Sequence, residues 1–297
     1  MTAPANAGGS SAAGPTVVRV LIGAQLRRLR EAKGLSREEA GYVIRASESK
    51  ISRLELGRVS FKERDVADLL TLYGVAADDP ERHRLLALVK DANTPGWWHR
   101  YSDVTPSWFE PFVGLEVAAS LIRTYEVQLI PGLLQTRDYA SAVVRLGLER
   151  AAPAEIERRV DLRLARQAIL TSPTPPQLWA VIDEAVLRRP VGGYPVLREQ
   201  LEALREAASR PNIKIQILAF DAGGHSAMGG GAYTILRFPD DGLADVIYVE
   251  LLTSAIYLDR REDTDVYAQA MERLCALAHP PDATPEIIEE ILKTLPG

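Results

Sequence analysis

The chain has 297 residues, of which 46% are hydrophobic and 25% charged, with a net charge of −5. That size suits two domains, each with its own core, and the composition excludes a disordered, collagen-like or disulfide-stapled protein. The lone cysteine, Cys275, excludes an internal disulfide or a cysteine metal cluster and fits a reducing cytoplasm, and no apolar run approaches the roughly 18 to 20 residues that a membrane-spanning helix needs.

Residues 1–16 are rich in Ala, Gly and Ser and lack the basic start and apolar stretch of a signal peptide, so a disordered tail is expected. Val17 to Lys33 has helical periodicity, with Ile22, Leu26 and Leu29 on one face and Arg27, Arg28 and Arg30 off it. Gly34 closes that helix. Ser36 with Glu39 forms a capping box that opens a second helix, with Ala40 and Val43 facing inward. The chain turns at Ile44-Arg45-Ala46, and Ser47 caps a third helix that runs to about Glu55, with Ile51 and Leu54 as its core side and Gly57 as its stop. Ser60 with Glu63 reads as another capping box, ahead of a fourth helix striped by Val66, Leu69, Leu70 and Tyr73 and closed by Gly74. Asp79-Pro80 starts a fifth, with Leu85, Leu86 and Val89 on its buried side. Residues 17–92 are therefore expected to form a compact all-α domain of five helices.

Residues 93–297 are expected to form an α+β domain with a mixed or antiparallel sheet. It opens with an aromatic stretch holding Trp97, Trp98, Tyr101, Trp108 and Phe109, expected to pack against this second domain rather than to hang as a linker. Helices are expected over about Pro111 to Glu126, Leu134 to Leu146, Ala154 to Leu170 and Tyr194 to Ser209. Strands are expected over Gln177 to Asp183, Ile213 to Leu218, Ala232 to Phe238, Asp245 to Leu251 and Ser254 to Leu258. An amphipathic helix over Glu262 to Ala278 and a last one capped by Thr284 complete the chain.

Charge is unevenly spread. Arg19 to Arg64 holds 12 Lys/Arg against 6 Asp/Glu, while the rest of the chain holds 23 basic and 34 acidic residues. A basic helical block on an acidic body is the footprint of a DNA-binding module joined to a domain with another task. The second and third helices, joined by a tight turn, give the geometry in which the third enters the major groove. Its outward residues Glu48, Ser49, Lys50 and Arg53 are the candidate base contacts: Arg53 can donate to guanine, Glu48 can accept from cytosine, and Ser49 or Lys50 can reach a base or a phosphate. Arg37 and Ser47, at helix N-termini, and Arg58, Lys62 and Arg64, after the third helix, are the candidate phosphate contacts. One helix-turn-helix reads few base pairs, so a homodimer on double-stranded DNA is expected.

The run Ser52-Arg53-Leu54-Glu55-Leu56-Gly57-Arg58 resembles the end of the recognition helix in the XRE (Cro/repressor-like) family, with Arg45 where that family often has glycine in the turn. Further on, Trp97-Trp98, Pro131-Gly-Leu-Leu-Gln-Thr136, Arg163-Leu-Ala-Arg-Gln167, Asp183 to Gly192 and Tyr248-Val-Glu250 resemble the second domain of the WhiJ-like regulators of actinobacteria. The resemblance implies a cytoplasmic transcription regulator, antitoxin-like in that many such proteins pair with a small protein encoded by an adjacent gene.

No motif in the second domain points to an enzyme, a metal or another cofactor. The histidines His83, His99, His225 and His279 have no paired ligand spacing, and there is no G-x-S-x-G. Cys275 reads as a core residue, and Asp183, Glu184 and Glu250 at strand ends read as helix caps or partners of Arg188 and Arg189. The glycine-rich loop Asp221 to Gly231 is the candidate for small-molecule binding in the alternative reading, a metabolite-sensing regulator.

Overall fold

The computed structural model describes residues 15–148, 150–239 and 243–296. Most of the expected tail, residues 1–14, lies outside them. The chain forms two compact units, Met1–Trp97 and Trp98–Gly297.

The first unit is all helical: α1 (Pro15–Ala32), α2 (Arg37–Val43), α3 (Glu48–Glu55), α4 (Glu63–Leu72) and α5 (Pro80–Ala92). Ile22, Leu26, Ala40, Ile51, Leu54, Val66, Leu69, Leu70, Leu85 and Val89 share one core. Gly34, Gly57 and Gly74 have positive φ and end their helices as expected. Three expectations are corrected. Val43, the last residue of the short α2, is 40% exposed rather than inward. Ser60 does not cap α4, which starts from Lys62 without a side-chain cap. The reason is Asn93: its amide accepts from the Phe61 N–H (3.0 Å) and donates to the Phe61 carbonyl (2.6 Å), which fixes that residue outside the helix and buries its ring. Arg30 lies in the core rather than off it, where the buried Glu55 carboxylate meets it.

The second unit is built on one six-stranded sheet, β1 (Leu121–Glu126), β2 (Gln177–Asp183), β3 (Ile213–Leu218), β4 (Tyr233–Arg237), β5 (Val246–Glu250) and β6 (Ala255–Leu258), in the order β3-β2-β1-β4-β5-β6. β1, β2 and β3 pair in parallel, and β4, β5 and β6 pair antiparallel, so the sheet is mixed and the fold is α+β as expected. Its helices are α6 (Glu110–Ala118), α7 (Arg137–Gly147), α8 (Pro153–Arg166), α9 (Glu184–Arg188), α10 (Tyr194–Ala207), α11 (Arg261–Leu277) and α12 (Thr284–Thr294).

The expected long helix over Pro111 to Glu126 is two elements. α6 ends at Ala118, and the Ser120 N–H donates to the Arg237 carbonyl at 2.8 Å, committing the next residues to strand β1. Residues of β1 then alternate between two covered faces: Tyr125 joins a core with Met271 and Leu274 of α11, while Ile122 and Thr124 are buried on the other side. Thr284 is the first residue of α12 and not its cap; its buried hydroxyl donates to the Ile215 carbonyl at 2.6 Å and ties the helix to β3. Of the aromatic stretch, Trp98 and Tyr101 are buried in this unit, Phe109 packs 5.5 Å from the Phe112 ring, and the Tyr257 hydroxyl donates to the Trp108 carbonyl at 2.8 Å.

Among the described residues no helix is long and apolar enough to cross a membrane.

Candidate nucleic-acid interface

The helix-turn-helix is assembled from local devices first. The Ser36 side chain accepts from the Glu39 N–H at 3.1 Å, and the Glu39 carboxylate accepts from the Ser36 N–H at 2.7 Å, a complete capping box at the start of α2. The Ser36 N–H and the Ser36 hydroxyl, which donates to the same carboxylate at 2.9 Å, hold the Glu39 carboxyl below its usual range. At the start of α3 the Ser47 hydroxyl accepts from the Lys50 N–H at 3.3 Å. Between the helices the backbone turns through Arg45 at φ +52°, closed by the Ala46 N–H donating to the Gly41 carbonyl at 2.8 Å. Arg45 thus takes the left-handed backbone that glycine would take without strain.

Core packing sets which face of α3 is free. Ile51 and Leu54 are buried, as expected, and so is Glu55, at 4% exposure. The Glu55 carboxylate is the hub of the domain. It accepts from Arg30 Nε at 2.5 Å and Nη2 at 3.0 Å, and from Arg37 Nε at 3.0 Å, joining α1, α2 and α3. Arg30 Nη1 donates in addition to the Leu35 carbonyl at 2.7 Å. The hydrogen bond to Glu55 raises the Arg30 pKa against the cost of burial. Such a pair keeps its charges inside the protein only because nearly every donor finds an acceptor. Its signal in the sequence is spacing. Arg30 continues the Ile22–Leu26 row at i+4 and i+8, and Glu55 follows Ile51 at i+4, so opposite charges occupy two buried stripes. At Gly23 a Cβ would lie 2.5 Å from the Leu54 and Glu55 carbonyl oxygens, so α1 and α3 touch backbone to backbone.

The opposite face of α3 presents the expected base contacts. Glu48, Ser49 and Arg53 are exposed, and Arg53 Nε donates to the Ser49 carbonyl at 3.3 Å, which lays its guanidinium along the helix. Lys50 is half-buried and pairs with Asp65 at 3.2 Å. Of the expected phosphate contacts, Ser47 and Lys62 are exposed, and Arg64 is exposed and only 3.8 Å from Asp68, a surface pair of small energy. Arg58 is half-buried at the end of α3. Arg37 is turned to Glu55 with its side chain 16% exposed, which gives it a structural task the sequence did not suggest. Tyr42 at the end of α2 is 87% exposed, an aromatic ring beside the turn that sequence reasoning passed over because its helix is too short to show a stripe.

The arrangement places acceptors and donors on the solvent face of one helix whose inner face cannot rotate. An α-helix of this kind fits the major groove, where such side chains discriminate base pairs.

In the second unit two of the three strand-end carboxylates have the expected kind of partner, while Glu250 caps no helix and meets neither Arg188 nor Arg189, accepting instead from the Tyr248 hydroxyl at 3.0 Å. Asp183 accepts from the Ala185 N–H at 2.8 Å as the cap of α9, and Glu184 pairs with Arg188 at 2.7 Å. Cys275 is half-buried against the α11 core, and burial raises its thiol pKa.

Residues 21–85 match a helix-turn-helix domain family, in agreement with the XRE-like reading of the same segment. No curated protein matches the chain, and no solved structure does. Residues 109–290, more than half of the chain, match the model of a domain of unknown function, DUF5753, and the chain accordingly belongs to that family, with a helix-turn-helix domain ahead of the family's own.

Proposed function

We propose that the protein is a sequence-specific, double-stranded-DNA-binding transcription regulator. It acts in the cytoplasm as a homodimer, reads bases with α3, and is controlled through its second unit by a small partner protein encoded nearby. The observation that carries the DNA-reading part is the fixed orientation of α3: Ile51, Leu54 and the Glu55 carboxylate hold one face, leaving Glu48, Ser49 and Arg53 on the other. Lys62 and Arg64 add positive charge after it for the phosphate backbone.

The partner reading, and the likeness to the antitoxin-like WhiJ regulators from which it comes, is supported by the outer end of the sheet. β6 is an edge strand, and around it Leu251, Leu252 and Ile256 are 47%, 101% and 44% exposed. An apolar edge of this kind accepts a strand from another chain. The second unit is read as regulatory rather than catalytic, since Asp183 and Glu184 are engaged in capping and pairing. Metabolite sensing is the second reading, favoured by Arg163, Glu126 and Glu250, charged groups of α8, β1 and β5 that make no ion pair among the described residues.

The test is a gel shift on the gene's own upstream DNA, with and without the product of the adjacent small gene. Arg53→Ala is expected to relax preference at one base position by about 1–3 kcal/mol. Lys62→Ala is expected to weaken binding to all sequences alike and to reduce the salt slope by about one unit. An Arg53→Ala protein with wild-type affinity and preference would show that α3 is not the reading helix. A shift that ignores the neighbour's product would remove the partner reading.

A further inference from the structure

Across the sheet, Thr124, Thr234 and Tyr248 form one row on β1, β4 and β5. Thr124 and Thr234 are joined hydroxyl to hydroxyl at 3.1 Å. Two residues further on, at the ends of the parallel-running β1 and β5, Glu126 and Glu250 point to the same face, their backbones about 10 Å apart across the intervening strand. α8 presents Arg159, Arg163 and Arg166, spaced i, i+4, i+7 on one side of the helix. The interior of this layer is closed: Arg166 makes a buried, two-pronged pair with Glu116 of α6 at 2.8 and 2.7 Å, beneath the rings of Phe109 and Phe112, and Phe112 stacks on Tyr248.

Toward the strand ends the pairing stops. Arg163, set deep in the unit yet keeping part of its surface open, makes only a 3.5 Å contact with Gln135 Oε1. Glu126, equally deep and partly open, accepts only from the Thr124 hydroxyl at 3.3 Å. Glu250, at the exposed rim, accepts only from the Tyr248 hydroxyl at 3.0 Å. These three groups feel one another's charge but none is within ion-pair distance of another. Arg159 leaves its Nε buried without a partner while its Nη2 holds Glu155. Folded proteins seldom leave a guanidinium and a carboxylate this deep without an ion-pair partner, with a second carboxylate at their rim, unless something else completes them. The runs Pro131 to Thr136, Arg163 to Gln167 and Tyr248 to Glu250 meet here, Gln167 Nε2 donating to the Gln135 carbonyl at 2.7 Å.

We propose that this cluster binds a small molecule carrying a carboxylate and, close to it, an amine or hydroxyl: the carboxylate lies on Arg163 and the donor lies between Glu126 and Glu250. A planar guanidinium fork suits a carboxylate. A phosphate dianion would face two acidic side chains, which disfavours it. The glycine-rich loop is a separate place, since its His225 meets Tyr125 on the opposite face of the sheet.

The two donor types differ in proton count. Burial, opposed by the Thr124 hydrogen bond and aided by Glu250, lifts the Glu126 carboxyl to about 8, so it is mainly protonated at pH 7. The groups that interact with it are Thr124 on its own strand, Glu250 of β5, Arg163 of α8 and Tyr139 of α7, while behind them Arg166 acts on Arg163, Tyr248 on Glu250 and Glu116 on Arg166. An ammonium placed against Glu126 would ionise it and release close to one proton per molecule bound at pH 7, whereas a hydroxyl would release none.

The proposal deepens the metabolite-sensing reading, and its test uses no DNA, so its failure is distinguishable from a failure of DNA reading. The full chain is melted at pH 7 with each of the common α-amino acids and the matching α-hydroxy acids at millimolar concentration. Calorimetry in buffers of different ionisation enthalpy then counts protons for any compound that binds. At least one compound is expected to raise the melting temperature, with binding about thirtyfold or more weaker in Arg163→Met. Glu250→Gln, at the exposed rim where the fold is least at risk, is expected to weaken the same compound, and Glu126→Gln is expected to abolish proton release. No response to any compound in either set overturns the site, as does a wild-type response in both Arg163→Met and Glu250→Gln.

Discussion

Arg45 carries the clearest single-residue consequence. A left-handed backbone at a residue with a Cβ costs about 1–2 kcal/mol, and Arg45 accepts that cost at φ +52° to bring α3 across α2. Arg45→Gly removes the strain but frees the unfolded chain, which offsets part of the gain. The net expectation is a stabilisation of about 0.5–1 kcal/mol in the unfolding transition of the first unit, measured by urea titration, with DNA preference unchanged. Loss of stability would show that the Arg45 side chain does more than the turn requires. Residues of this kind were legible where a short-range rule governs them: Ser36, Ser47, Gly34 and Gly57 each do what their position in a cap implies. Ser60 and Thr284 were misread because a distant partner, Asn93 in one case and the Ile215 carbonyl in the other, decides their roles. Glu126 and Arg163 gave no local signal, since they come near one another only once β1, β5 and α8 are brought together.

At the scale of elements, amphipathic stripes found the helices of the first unit because each has one wet face. They failed for β1, whose two faces are both covered, leaving no alternation of apolar and polar residues to contrast with a helix. They also failed for Arg30 and Glu55, charges that hold stripe positions normally apolar. That hub is what fixes the angle between α2 and α3, so it links packing to reading. Glu55→Ala would leave the 6%-exposed Arg30 with only the longer contact to the exposed Glu31 at 3.4 Å, and Arg37 without its carboxylate. Breaking a buried pair from one side costs about 3–5 kcal/mol. Glu55→Ala is therefore expected to lose that much stability and operator binding with it. The double variant Arg30→Met, Glu55→Met, which removes both charges and keeps the volume, is expected to recover most of the stability. Urea unfolding of the three proteins checks this. A single variant as stable as the native chain would mean that the carboxylate contributes nothing net to the fold.

At the scale of the whole molecule, charge and symmetry make one argument. A basic block of 12 Lys/Arg and 6 Asp/Glu is joined to a body of 23 basic and 34 acidic residues. The body therefore repels DNA, and attraction must come from the small helical unit. One such unit presents few exposed candidates for phosphate contact beyond Lys62, Arg64 and Ser47, too few to hold a site at physiological salt, where each contact contributes a slope of only about 0.9. Two units on one operator double that number, and they must then face the same side of the duplex, one helical turn of about 10–10.5 base pairs apart. Lengthening the spacer between half-sites by half a turn should rotate the second site to the far side and abolish the tight complex. Lengthening it by a full turn should restore much of it. Gel shifts on the three spacers, with the salt slope measured for each, decide the matter. Binding that falls at half a turn and returns at a full turn, with the slope halved only on the half-turn spacer, is the expected result. A complex indifferent to spacing, with one slope throughout, would show that a single copy reads the DNA and that the acidic body contributes no second reader.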